Sequence, residues 1–110
     1  MPTLPPYTAM EPTRGEVDAL PGTTLLEFGT GWCAYCQATQ PVLASVMETH
    51  QGTRHLRVED GKGRALGRSY RVKLWPTLIF LREGVEVARL VRPTDPQLIR
   101  EALSLLESPA

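Results

Sequence analysis

The sequence predicts an α/β domain built as a three-layer α/β/α sandwich, with a central mixed sheet of about five strands and helices on both faces. Three observations predict it. Residues 24–28 and 77–81 are short apolar runs of strand length. Val42, Leu43, Val46 and Met47, and again Leu98, Ile99, Ala102, Leu103 and Leu106, recur at the three- and four-residue spacing of a helix with one buried face. The elements alternate and then close with a hairpin and a helix, βαβαβαββα. Alternation implies parallel strands joined by right-handed crossovers, with helices above and below.

Taken in order, residues 1–6 read as a proline-stiffened, poorly ordered arm, and the domain as residues 7–110. Residues 7–10 read as a short edge strand. Glu11-Pro12-Thr13 opens a short helix with Val17, Ala19 and Leu20 as its apolar residues, and Pro21-Gly22 ends it. The strand at 24–28 passes through Gly29-Thr30-Gly31 into a helix from about Cys33 to His50, interrupted by Pro41 and terminated by Gln51-Gly52. Leu56 and Val58 alternate with Arg57 and Glu59, the period of a strand. Asp60-Gly61-Lys62-Gly63 is a turn, and residues 64–70 form a short helix. Lys73-Leu74-Trp75-Pro76 leads into the strand at 77–81, which Glu83-Gly84 turns back into residues 85–91. Thr94-Asp95-Pro96-Gln97 starts the last helix, capped by Thr94 with Gln97 or by Asp95 with Pro96 following.

A chain of 110 residues suits one domain. Acidic and basic residues balance at 12 each, so no net field draws in nucleic acid or an anionic membrane. The apolar runs are far shorter than a membrane span. Met1-Pro2-Thr3-Leu4-Pro5-Pro6 has neither the basic nor the apolar region of a secretion signal. The expectation is a cytoplasmic monomer, or a periplasmic protein if a leader has been removed.

The chemistry is concentrated in Trp32-Cys33-Ala34-Tyr35-Cys36, which holds both cysteines of the chain. The pair falls where a strand gives way to a helix. Unpaired N–H groups and the positive dipole end at such a position favour a thiolate over a thiol. The thiolate is the attacking species in disulfide exchange, and a second thiol two residues on closes a disulfide with little backbone movement. Cys33, expected to be exposed at the helix start, reads as the nucleophile and Cys36 as the resolving thiol. A metal site is the competing reading, because Cys33, Cys36, His50 and His55 satisfy C-x2-C-x13-H-x4-H. The local pattern opposes it: these cysteines open a helix, Pro41 interrupts the interval and Gly52 separates the histidines. No metal ligand is assigned.

These residues resemble the thioredoxin family over nearly the whole chain after Tyr7. The motif is WCxxC after a buried strand. Pro41 matches the family's helix proline, Trp75-Pro76-Thr77 its cis-proline loop and Gly84 its hairpin glycine, while Glu27 falls where thioredoxins carry a buried aspartate. His55 or Arg57 is nearest to the place of the family's buried lysine. The sequence departs from the family in having Ala34-Tyr35 for Gly-Pro between the cysteines, Trp75 for a smaller aliphatic residue, and Arg92 where a glycine usually flanks the substrate groove. The resemblance implies a thiol–disulfide oxidoreductase. Cys33 would form a mixed disulfide with a protein substrate, and Cys36, deprotonated with help from Glu27, would resolve it. Trp32, Ala34, Tyr35, Trp75, Pro76 and Arg92 would meet the substrate. No bound cofactor is implied, the electrons coming from a reductase or relay protein. An oxidase or isomerase of an oxidising compartment, or a thioredoxin-fold binding module, remains open at this point.

Glu27 is the outlying charge, set among Leu25, Leu26 and Phe28 in a strand covered on both faces. Burial alone would raise its pKa toward neutrality, and leucine in its place would stabilise the fold by about 1–3 kcal/mol.

Overall fold

The computed structural model describes residues 3–108. In chain order the elements are α1 (Arg14–Asp18), β1 (Thr23–Gly29), α2 (Ala34–Met47), β2 (Arg54–Glu59), α3 (Ala65–Ser69), β3 (Thr77–Arg82), β4 (Val85–Val91) and α4 (Pro96–Glu107). The strands form one mixed sheet in the order β2-β1-β3-β4. β1 and β3, its centre, are the two apolar runs, buried along almost their whole length.

The two faces of β1 and β3 supply two cores. Leu25, Leu78 and Phe80 face α2 and α4, where Leu43, Val46, Ile99, Leu103 and Leu106 meet them. Leu26, Phe28, Ile79 and Leu81 face the other way and pack with Val17 of α1, Leu66 of α3 and Tyr70. The period-2 alternation of a strand thus feeds one helical layer on each side, as the sequence predicts.

Several local expectations are corrected. Residues 7–10 form no fifth strand; they touch the sheet edge at one bridge, Thr8 against Val58, so the sheet has four strands. α1 begins after Pro12, with Thr13 as its N-cap and Glu16 completing a capping box. α2 is shorter than expected and stops at Met47. Of the two caps the sequence offers for α4, Asp95 with Pro96 following is the one formed, Asp95 accepting from the Gln97 N–H at 2.9 Å. Leu98 is 46% exposed, because it sits about 100° around the helix from Ile99, at the margin of the buried stripe.

The largest difference concerns strand direction. β2 runs parallel to β1, but β3 runs antiparallel to it. A third parallel strand would require the chain to travel back along the sheet after β2. α3 has five residues and rises only about 7 Å, against about 20 Å for a strand of ordinary length. The chain therefore re-enters the sheet from the end where β2 finished. Phe28 pairs with Thr77, which brings the start of β3, and Pro76 just before it, to the end of β1 from which the cysteine segment departs.

Candidate active site

Cys33 is the N-cap of α2, in extended backbone, and its Sγ accepts a hydrogen bond from the Cys36 N–H at 3.2 Å. Gln37 closes the first turn: its N–H bonds to the Cys33 carbonyl at 3.0 Å and its side-chain amide to the Gly31 carbonyl at 2.9 Å. Both cysteines are free thiols. Neither is freely exposed: Cys33 is 7% and Cys36 1% accessible. This corrects the expectation of an exposed Cys33, since the capping geometry turns its sulfur back over the first helical turn. Trp32 and Tyr35 provide the exposed surface instead, and Ala34 is exposed beside them. Burial, with the hydrogen bond to Cys33 second, pushes the Cys36 thiol up to about 11, while the Thr30 amide and the Tyr7 hydroxyl act in the opposite direction.

Across the groove, the Trp75–Pro76 peptide is cis. The Trp75 ring stands edge-on to Trp32, centroids 5.6 Å apart, and its Nε1–H donates to Asp60 at 2.9 Å. Arg92 joins the two walls. Its Nε donates to the Trp75 carbonyl at 2.8 Å, and its guanidinium lies 3.8 Å over the Tyr35 ring. Every residue that the sequence singles out around the groove is therefore placed at this end of the sheet.

Glu27 lies beneath, 1% exposed, on the face of β1 that looks toward α2. The parallel register sets it beside Arg57 of β2, with His55 two residues earlier on the same face. Arg57 donates Nε to Oε1 at 2.9 Å and Nη2 to Oε2 at 3.1 Å, His55 Nε2 donates to Oε1 at 2.8 Å, and the Tyr7 hydroxyl donates to Oε2. Burial pushes the carboxyl up, but the hydrogen bonds from His55 and Arg57 and the Arg57 charge outweigh it and hold Glu27 below its ordinary value. The raised pKa expected from burial is thus corrected to a lowered one, the carboxylate accepting four hydrogen bonds. Of the C-x2-C-x13-H-x4-H pattern, His55 is bound to Glu27 and His50 to Glu107 at 2.8 Å. The described residues contain no group of three or more histidine, cysteine or acidic side chains placed to share a metal.

Residues 13–104 match the family model described as thioredoxin. The chain belongs to the thioredoxin family. A solved thioredoxin 2 from Pseudomonas aeruginosa PAO1, in its reduced form, is 54% identical with a TM-score of 0.86, covering 94% of this chain and 95% of that one. The solved thioredoxin f2 of Chlamydomonas reinhardtii, 19% identical over 87% of this chain and 90% of its own, superimposes with a TM-score of 0.72 and shares the fold. Thioredoxin-1 of Caenorhabditis elegans is 29% identical over 79 residues, 72% of this chain and 69% of its own length. A thioredoxin H-type of Populus jackii is 27% identical over 84 residues, 76% of this chain and 60% of its own. The chain spans 58–64% of the length of the first curated relatives it matches.

Against the thioredoxin pattern, the sequence leaves unmarked the groups that hold its site residues in place. Asp60 orients Trp75, and Gly67 leaves room for the Asp60 carboxylate. Gly29 lets Tyr7 and Cys36 approach: a Cβ there would lie 2.5 Å from the Tyr7 hydroxyl oxygen and 2.7 Å from Cys36 Sγ. His55 and Arg57, the two residues the sequence offers nearest the place of the family's buried lysine, both bond to Glu27. Tyr7 carries no sequence signal, because it reaches the site from the arm across the sheet edge.

Arg92 departs from the thioredoxin glycine in a position with φ 52°, a conformation that costs a non-glycine residue about 1 kcal/mol or more. Its contacts to Tyr35 and Trp75 are worth a similar amount. Arg92→Gly is therefore expected to leave stability within about 1 kcal/mol of the parent while loosening the groove. The measurement is a urea melt paired with kcat/KM on acidic and basic disulfide peptides. The substitution should lower kcat/KM for the acidic peptide more than for the basic one; an equal change for both would show that Arg92 only packs against Tyr35.

Proposed function

We propose that this thioredoxin-family chain is a thiol–disulfide oxidoreductase acting on protein disulfides. The Cys33 thiolate attacks one sulfur of the substrate disulfide, giving a mixed disulfide and a departing substrate thiolate that takes up a proton. Cys36 then loses its proton and attacks Cys33 Sγ. The Cys33–Cys36 bond forms, the bond to substrate breaks, and its electron pair and a proton go to the second substrate thiol. The protein pair is oxidised by two electrons and the substrate reduced by two. Another redox protein returns the electrons, with no bound cofactor.

The observation that supports this reading best is the Cys36 N–H donated to Cys33 Sγ at the first turn of α2. A donor already aimed at the sulfur stabilises the thiolate before the substrate arrives. The substrate is proposed to lie as an added strand along the backbone at Trp75 and Pro76. The Trp75 carbonyl already accepts from Arg92, but a carbonyl oxygen has a second lone pair to offer.

The test separates the two thiols. Cys36→Ser should accumulate a covalent mixed disulfide with a disulfide substrate, because capture is intact and resolution is not. Cys33→Ser should accumulate none, and both should fail to turn over insulin disulfides in the presence of dithiothreitol. Trapping through either cysteine alike, seen by mass spectrometry of the adducts, would rule out this division of roles.

A further inference from the structure

The resolving step has an unsolved requirement. Cys36 is buried, its thiol is pushed up to about 11, and the carboxylate below it is already saturated with donors. Something must stabilise the Cys36 thiolate as it attacks. The groups facing this sulfur are Cys33, the Thr30 amide and the Tyr7 hydroxyl. Cys33 raises the Cys36 pKa and is itself in the mixed disulfide during this step. Two hydroxyls with movable protons line the cavity beside Cys36, those of Thr30 and Tyr7, and it is the Tyr7 hydroxyl that acts on the Cys36 sulfur through its side chain.

The position of Tyr7 is built by several contacts. Thr8 pairs with the β2 edge, its N–H to the Arg57 carbonyl at 2.7 Å and its carbonyl to the Glu59 N–H at 2.9 Å. Arg57 Nη1 donates to the Pro5 carbonyl at 2.6 Å, and the guanidinium lies 4.1 Å over the Tyr7 ring. The hydroxyl meets Glu27 on one side and shares the space above Gly29 with Cys36 Sγ on the other. A cavity of about 290 Å³ opens here, lined by Tyr7, Gly31, Cys36, Gln40 and Arg57.

We propose that the Tyr7 hydroxyl is the hydrogen-bond donor that stabilises the Cys36 thiolate while it resolves the mixed disulfide, an inference that rests on the function proposed above. At rest the hydroxyl gives its proton to Glu27 Oε2, beside the Cys36 sulfur over Gly29. When the Cys36 S–H proton leaves through the cavity to solvent, the hydroxyl rotates about its C–O bond and donates to the thiolate. Glu27 tolerates the loss of this donor, because Arg57 still holds both its oxygens and His55 one of them. No proton is transferred from the phenol itself. Burial and the Glu27 charge push the Tyr7 hydroxyl far above its ordinary value, so it remains a donor throughout the working range.

The experiment follows the two half-reactions separately in stopped flow, with a chromogenic aromatic disulfide as substrate. Tyr7→Phe keeps the ring over Arg57 and removes only the hydroxyl. Capture by Cys33 should stay within about twofold of the parent, while resolution at pH 7 should slow roughly tenfold and its pH profile move to higher pH. Replacing Tyr7 by a fluorotyrosine, a stronger donor of nearly the same shape, should move the profile the other way. Unmoved resolution in Tyr7→Phe overturns the proposal. So does a shift in Tyr7→Phe without the opposite shift in the fluorinated protein, which marks a packing effect. Absence of capture in the parent protein would instead refute the proposed function and leave Tyr7 without a reaction to assist.

Discussion

Replacing Glu27 by leucine is expected to destabilise the fold by about 3–5 kcal/mol at neutral pH. Desolvation alone argues for the opposite sign, and the partners decide it. Arg57 is 4% exposed and Glu27 1%, so removing the carboxylate strands a guanidinium in the interior together with the His55 ring and the Tyr7 hydroxyl. The pH dependence follows from the direction of the shift. Glu27 is held below its ordinary value, so its stabilisation is present above the unfolded carboxyl value of about 4.3 and is lost as pH falls through the folded one. The gap between parent and variant should therefore be full at neutrality and narrow in acid. Adding Arg57→Met to Glu27→Leu should recover much of the loss, since an apolar pair can replace a buried ion pair. Urea melts at neutral and acid pH measure all three proteins. A Glu27→Leu variant as stable as the parent at neutrality would mean the carboxylate is not compensated by Arg57.

Gly84→Ala should be as damaging, at the far end of the sheet from the cysteines. Gly84 has φ 78°, and a Cβ built there would fall inside the envelope of the Asp18 backbone carbonyl at the end of α1. Left-handed backbone costs about 1–2 kcal/mol and overpacking against an unyielding atom about 1–3 kcal/mol more. The expected loss is between about 2 and 5 kcal/mol, with disulfide exchange per folded molecule unchanged. Gly22→Ala separates the two contributions. Gly22 has φ 72° but nothing within 4 Å of the added carbon, so it should lose only the conformational part. Equal losses at the two positions, compared by thermal and urea unfolding, would show that contact with α1 is immaterial.

The layers and the cysteine corner were legible because each rests on local pattern. The apolar runs of β1 and β3, the spacing of Ile99, Leu103 and Leu106, and a cysteine pair at a strand-to-helix junction all announce themselves within a few residues. What could not be read depends on pairing between distant segments. Nothing in residues 60–76 states that β3 will run against β1. Glu27 was recognisable as an outlying charge, but its ionisation is fixed by Arg57 and His55, 30 and 28 residues away, through the parallel register of β1 and β2. The fifth strand failed for a related reason: Thr8 finds the edge of β2, but the chain leaves it after a single bridge.

That single bridge has a consequence for solubility. β2 is an outer strand, and an outer strand with free N–H and C=O groups invites pairing with another molecule. Thr8 occupies the Arg57 carbonyl and the Glu59 N–H, so a strand approaching this border must first displace the arm, which Arg57 grips at Pro5. The opposite border is defended differently. β4 carries Glu86 and Arg89, bonded to each other, and its pairing with β3 shifts register between Phe80 and Leu81, an irregularity of the kind that bends an edge away from a flat template. The arm is thus a gasket as well as a support for Tyr7, and a chain that loses it would meet its neighbours along an open β2.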